Sequence, residues 1–288
     1  MSLRWSTEMP NEIGGIAAGS AKDSSNIALV GHTGFVGTTL ARQAEFSALF
    51  RSGNIGEIAG RHFDCIVCAA APAQKWIANR DPEADRKNID ALIAHLKMVT
   101  CDTFILISTV DVFGMPVGVD EGTPVDQEGL HAYGLHRRLL EVFVETHFPD
   151  HLVVRLPGLV GPGLRKNVIF DFLNDNNLQA IDSRGSFQFY PMVNLWYDIQ
   201  EARQHGLKLV HLTAAPVLVA DVARLGFNRP FDRENPNAPA SYDMRTRHAA
   251  LFGGAGDYQY SWRESIQAIR AYAQSEPRTK AAGEGSAK

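Results

Sequence analysis

An α/β fold on a doubly wound parallel sheet is what this sequence predicts, and three observations carry the expectation. Between residues 26 and 156, short apolar runs alternate with segments of helical spacing, the order produced when strands are joined through crossover helices. The first apolar run, residues 26–30, breaks directly into the glycine turn Gly31-His-Thr-Gly34-Phe-Val-Gly37. The run from Phe63 to Ala71 is apolar almost throughout instead of alternating, as befits a strand covered on both faces.

The elements follow in order. After the glycine turn, residues 38–46 take helical spacing, 47–50 form a second short strand ending at Arg51, and 63–71 a third. Residues 81–99 read as a helix with Leu92, Leu96 and Val99 on one side, 103–108 as a buried strand, 132–147 as an amphipathic helix and 151–156 as a strand. Past Gly161-Pro-Gly163, Asn, Gln and aromatic residues become frequent and the alternation fades. A nucleotide-binding unit over 26–163 and a smaller lobe over 164–276 are therefore expected. Residues 206–211 and 216–225 still read as a strand and a helix, which interleaves the smaller lobe with the sheet. Residues 1–25 lack periodicity and are expected as a loose leader, and residues 277–288 as a disordered tail by composition.

Composition narrows the function classes. A chain of 288 residues with 45% hydrophobic and 21% charged residues buries roughly three quarters of its unfolded surface, enough to fold without disulfides or a structural metal. The net charge of −4 and the lack of a Lys/Arg run speak against nucleic acid as a partner. The apolar stretches at 65–73 and 212–220 fall short of the ~20 residues that span a bilayer, so no membrane association is expected. The first 25 residues carry Glu8, Glu12, Lys22 and Asp23 and lack the apolar core of a signal peptide. Three cysteines cannot all pair, which suits a reducing cytoplasm.

Glycines where a strand feeds a helix let the backbone approach a pyrophosphate at the helix N-terminus. A tight structural turn is the other reading of Gly31, Gly34 and Gly37, and the flanking strand and helix favour the dinucleotide. At the end of the second strand, Arg51 can accommodate a ribose 2′-phosphate, whereas Glu57, the first acid after it, lies beyond the strand end. NADP is thus expected, with NAD the alternative. Cys65 and Cys68 sit at i and i+3 of a strand, on opposite faces, and are read as packed thiols. No His-x-x-x-His or Cys/His spacing suggests a metal.

Three motifs resemble those of the extended short-chain dehydrogenase/reductases, a family of Rossmann-like fold. They are the glycine turn, Ser108-Thr109-Val110-Asp111-Val112-Phe113-Gly114 at a strand end, and Ala132-Tyr133-Gly134-Leu135 opening a helix, followed by Val154-Arg155-Leu156-Pro157-Gly158-Leu159-Val160-Gly161-Pro162. The likeness runs from about residue 26 to 163, and more weakly to 272. It implies an NAD(P)-dependent reductase, epimerase or dehydratase acting on a nucleotide-linked sugar or similar small polar substrate. It also implies a C-terminal substrate lobe and a homodimer formed through the helices at 81–99 and 132–147.

The resemblance further implies site roles. Tyr133 transfers the proton, Thr109 orients the reacting oxygen, and Asp111 stands where the family's dehydratases carry an acid–base Glu, although a turn-stabilising Asp is an equal reading. The cofactor would lie along Gly31, Thr33, Gly34, Phe35, Val36 and Gly37, beside Arg51 and Ser52, past Ala69, Ala70 and Ala71, and against Pro157. The family's helix begins Tyr-x-x-x-Lys, whereas this chain reads Tyr133-Gly-Leu-His136-Arg137. Residues i and i+4 share a helix face, so Arg137 can lower the Tyr133 pKa and hold a ribose, but it never deprotonates. The departure keeps open a second class, a non-catalytic dinucleotide sensor on the same fold. His136 either relays protons or faces solvent. The aromatic residues of 187–191 and 194–198 either stack on a ligand ring or form core. Arg245 and Arg247 either grip a diphosphate or lie on a solvated face.

Overall fold

The computed structural model describes residues 26–279; the expected leader and residues 280–288 of the expected tail lie outside them. Six parallel strands form the central sheet: β1 (Ile27–Val30), β2 (Ala48–Phe50), β3 (His62–Cys68), β4 (Thr100–Thr109), β5 (His151–Leu156) and β6 (Leu209–His211). Their order is β2-β1-β3-β4-β5-β6. The register runs straight across the middle, with Leu29 opposite Val67, Val67 opposite Ile105 and Ile105 opposite Leu152.

Alternation along each strand sends successive side chains to opposite faces, and the core divides accordingly. Ala28, Val30, Ile66, Cys68, Phe104 and Leu106 pack beneath Ile89, Leu96, Leu140 and Val144, which come from α3 (Pro82–Leu96) and α4 (Ala132–His147). Leu29, Cys65, Val67, Ile105 and Val154 face the other way, onto α1 (Phe35–Gln43) and α6 (Leu195–Gln204). Each side chain such as Ile89 or Leu96, with no exposed surface, contributes about 1.5–3 kcal/mol by leaving water. Cys65 and Cys68 fall in different cores, and burial pushes both thiols up to about 11. Among the described residues no cluster of metal-ligating side chains is present, and no helix is long and apolar enough to cross a membrane.

The sequence misplaces some boundaries. The helix expected over 81–99 is α3, capped by the Asp81 carboxylate on the Ala84 amide at 3.0 Å. It is preceded by an unforeseen short helix, α2 (Lys75–Arg80). The helix expected over 216–225 opens instead as a strand: Val217 and Leu218 pair antiparallel with Phe187 and Ser186, and only from Val219 does the chain coil, ending in a wide turn at Gly226. That turn packs on α7 (Trp262–Ser275), and a Cβ at Gly226 would meet the Ile269 side chain at 2.6 Å. A third apolar cluster holds this part together, joining Ile169 and Phe172 of α5 (Val168–Asn174) to Val217, Ile266 and Ile269. Strand β6 returns the chain to the edge of the central sheet beside β5. At the far end Thr279 donates through its amide and hydroxyl to the Asn174 side chain.

Candidate functional site

One cavity of about 860 Å³ opens at the carboxyl ends of β1, β3, β4 and β5, lined there by Val30, Ala69, Thr109 and Pro157. The chain leaves β1 toward β2 on one side and resumes at β3 on the other, so the crevice lies where the strand order reverses, the place where open α/β sheets take ligands.

The glycine turn forms one wall. Gly31 has φ +90°, and a Cβ there would meet the Ala69 carbonyl at 2.6 Å; its amide donates to the Phe50 carbonyl at 2.8 Å. Gly34 caps α1 without a side-chain partner, so the helix presents free N–H groups and the positive end of its dipole to the cavity. Thr33, Gly34, Phe35 and Val36 all line it, as do Arg51, Ser52, Ala69, Ala70, Ala71 and Pro157. Gly37 corrects the expectation: it is no part of the lining. A Cβ at Gly37 would stand 2.1 Å from the Gly31 carbonyl oxygen, so its role is to seat α1 against the turn. Glu57 lies exposed on a one-turn helix past β2.

Thr109, Asp111, Tyr133 and Arg137 meet at the other end of the cavity. Gly134 lets α4 approach closely, since a Cβ there would lie 2.1 Å from the Asp111 carbonyl oxygen. The Tyr133 amide donates to Asn79 Oδ1 of α2 at 3.0 Å. Burial, and then the Asp111 carboxylate, push the Tyr133 phenol up; Arg137, Thr109 and Lys75 pull it back, and the net direction is upward. The Arg137 guanidinium carbon sits 4.0 Å from the Tyr133 ring centroid. Its two outer nitrogens are engaged, Nη1 by Asp85 of α3 and Nη2 by the Pro72 carbonyl. Arg137 and Asp85 are 3% and 5% exposed, a buried ion pair. Of the three guanidinium nitrogens, Nε has no protein partner among the described residues. His136 is buried as well and meets Asp85 at 2.7 Å. It therefore faces neither solvent nor the Tyr133 hydroxyl: it serves the same carboxylate as Arg137.

Two lining groups, Lys75 and Lys166, escape the sequence reading, and they share the cavity with residues of the 187–191 and 242–248 segments. Lys75 Nζ donates to Asp111 Oδ1 at 2.7 Å and lies 3.2 Å from the Tyr242 hydroxyl, which donates to the same carboxylate oxygen at 3.1 Å. Burial depresses the Lys75 ammonium, but the ion pair with Asp111 outweighs it and the net direction is upward. Lys166 donates to the Ala73 carbonyl, and burial, ahead of the opposing charge of Asp111, pulls its ammonium down. Phe187 stacks on Tyr242, centroids 5.4 Å apart and planes at 26°. Gln188 pins this wall by donating to Thr213, the Ala214 carbonyl and the Met244 carbonyl.

The other aromatic candidates lie outside the cavity lining, and Tyr197 is 63% exposed. Phe189 and Tyr190 are 1% and 0% exposed, and Trp196 packs edge-on against Phe46. Arg245 and Arg247 lie outside the cavity lining, paired with Asp243 at 2.8 Å and Asp120 at 2.7 Å. Of their segment, Tyr242 alone reaches the site.

The sequence matches no model of a known protein family, and no curated protein matches it. Solved structures do match in fold. The RMD protein of Pseudomonas aeruginosa, solved with NADPH, aligns with TM-score 0.63 at 19% identity, over 87% of this chain and 99% of its own. The dTDP-4-dehydrorhamnose reductase of Bacillus anthracis, solved with NADP, aligns at 0.66 and 15%, over 88% and 99%. TunA, an NAD-dependent NDP-hexosamine 5,6-dehydratase of tunicamycin biosynthesis, aligns at 0.66 and 16%, also over 88% and 99%. The chain shares the Rossmann-like fold of these solved structures.

Proposed function

We propose that this cavity binds NADP(H) and that the protein moves a hydride to or from a carbonyl or hydroxyl carbon of a nucleotide-linked sugar or similar small polar substrate. The observation that carries the reading is a single crevice joining the free N-terminus of α1 to the Thr109–Tyr133 pair. The residues present fit the dinucleotide. Uncapped amides suit a pyrophosphate, and small side chains at Ala69, Ala70 and Ala71 leave room beside it. The unpartnered Arg137 Nε supplies a buried donor on the same wall. Arg51, at the end of β2 on the cavity edge, suits a 2′-phosphate. Two of the fold neighbours were solved with NADPH or NADP.

The bound cofactor would supply the hydride. Tyr133 donates a proton to the substrate oxygen in reduction and accepts one in oxidation, and Thr109 orients that oxygen by hydrogen bonding. Arg137, fixed over the Tyr133 ring, favours the anionic phenol. The division into a nucleotide-binding unit over 26–163 and a substrate lobe over 164–276, and a homodimer through α3 and α4, belong to the same proposal. Val142, 38% exposed on α4, is an apolar residue such an interface would cover, and a monomer mass by light scattering would rule the dimer out.

Incubation with NADPH and a panel of nucleotide-linked keto sugars tests the function. Calorimetry of Gly34→Val tests the cofactor site: among the described residues beyond its chain neighbours, a Cβ there would approach the Gly31 carbonyl oxygen at 3.6 Å, an ordinary contact, so the fold should persist while dinucleotide binding is lost. Unchanged binding would overturn the assignment. The sequestration of Arg137 by Asp85 favours a second reading, a dinucleotide sensor, which forecasts NADP(H) binding with no turnover on any substrate and indifferent to Tyr133→Phe.

A further inference from the structure

We propose that Lys75 returns the proton to Tyr133 after each reduction, held for the task by Asp111 and Tyr242. The inference rests on the reading of Tyr133 as the proton donor. A tyrosine that has given up its proton inside a buried site needs a replacement, and its helix neighbour cannot provide one. Arg137 stays protonated and its outer nitrogens are committed to Asp85 and Pro72.

Lys75 is also held, by Asp111 and Tyr242, but a lysine can release its proton and this one is open to water. Its side chain is 37% exposed and shares the cavity with Tyr133. Helix α2 fixes it there: Lys75 and Asn79, at i and i+4, lie on one helix face, with Asn79 accepting from the Tyr133 amide and Lys75 donating to Asp111. The same short helix thus docks on the start of α4 and aims an amine at the proton-transfer end of the site. Tyr242, from a segment distant in sequence, closes the cluster on Asp111. The groups facing Tyr133 are Arg137 of α4, the His131 ring at 6.4 Å, Thr109 and Asp111 at the end of β4, and Lys75 of α2.

The step balances. A hydride from a reduced nicotinamide dinucleotide forms the new C–H bond while the carbonyl π pair moves onto oxygen. The Tyr133 O–H bond breaks as that oxygen takes the proton. A Lys75 N–H bond then breaks, its proton passes through a cavity water to the Tyr133 oxygen, and the neutral amine recovers a proton from solvent. One hydride and one solvent proton are consumed per turn.

Lys75→Met, Lys75→Arg and wild type are compared in two ways. The Tyr133 titration, read from tyrosinate absorbance with Tyr133→Phe subtracted, should move to higher pH in Lys75→Met and return in Lys75→Arg. NADPH-dependent turnover should fall about ten- to a hundredfold in both variants, with NADPH affinity unchanged, and ethylamine should restore part of the rate to Lys75→Ala. A merely structural lysine would show no amine rescue. An active wild type matched in rate by Lys75→Arg, or a Tyr133 titration indifferent to Lys75→Met, overturns the proposal. A wild type that binds NADPH but turns over nothing, with the Tyr133 titration still responding to Lys75, upholds the coupling of the two groups and defeats the reading of the site as an oxidoreductase.

Discussion

Two cations flank Tyr133, and they differ in partner and in access to water. Arg137 is 3% exposed, locked between Asp85 and a backbone carbonyl beneath the tyrosine ring. Lys75 has a side chain 37% exposed and holds Asp111 at the open cavity. The first charge occupies the motif position that sequence points to, yet its surroundings make it a fixed, structural charge. The second sits in no motif and is the one free to exchange protons with solvent. What a cation does for chemistry is decided by what neutralises it and by whether water reaches it, both of which tertiary structure sets.

The sharpest way to break this contrast is to remove each partner. Asp85→Ala leaves Arg137 buried and unpaired and should cost about 3–5 kcal/mol of unfolding free energy, the range for breaking a buried ion pair. Asp111→Ala, which frees a half-exposed lysine, should cost less than about 1 kcal/mol. Urea denaturation of the two variants checks the pair, and equal losses would show that the two sites are not different in kind.

Arg51 extends the comparison to the far end of the cavity. Arg51→Ala should weaken NADP(H) by about 1–3 kcal/mol, the range for a lost charge-assisted hydrogen bond, and leave NAD(H) nearly untouched. Calorimetric titration of both cofactors measures it, and a wild type that binds both equally would reduce Arg51 to a surface residue.

The smallest effect concerns pH. Lys75 is raised above its ordinary value of 10.5 in the folded protein, so folding favours its charged form. Its stabilisation is fully present below that pH and is lost as pH rises through the higher folded value. Thermal melts of wild type should therefore decline above about 10.5 more steeply than those of Lys75→Gln. Parallel curves would mean the Asp111 pair contributes nothing to the fold.

The legible and illegible parts of the site divide along the same line. The Gly31–Gly34 turn, the run at Ala69–Ala71 and the Thr109–Tyr133 pair are local in sequence, each set by a strand end or a helix start, and the structure brings them to one cavity. Gly37 has a local cause too, but it is packing against Gly31 instead of ligand contact. Asp85, His136 and Arg137 converge from α3 and α4, and Lys75, Asp111 and Tyr242 from three distant segments. No spacing rule links position 75 to 242. One signal was available for Lys75: it follows shortly after a buried strand at the reversal of strand order, where the loops of such sheets carry ligands. The pairing of Arg247 with Asp120 had no comparable signal, because that pair forms only once the chain after Ser241 lies beside the 117–121 segment, whereas Arg245 pairs with Asp243 only two residues away.

The account depends most on Tyr133 acting as the acid–base group of a hydride transfer. Single-turnover oxidation of bound NADPH by a nucleotide-linked keto sugar, followed in wild type and Tyr133→Phe, tests this directly. The account predicts consumption of NADPH by wild type and a rate on the order of 10²- to 10⁴-fold lower in Tyr133→Phe, the loss expected for a general acid–base residue, with NADPH affinity retained. An active wild type whose rate Tyr133→Phe leaves unchanged would contradict it.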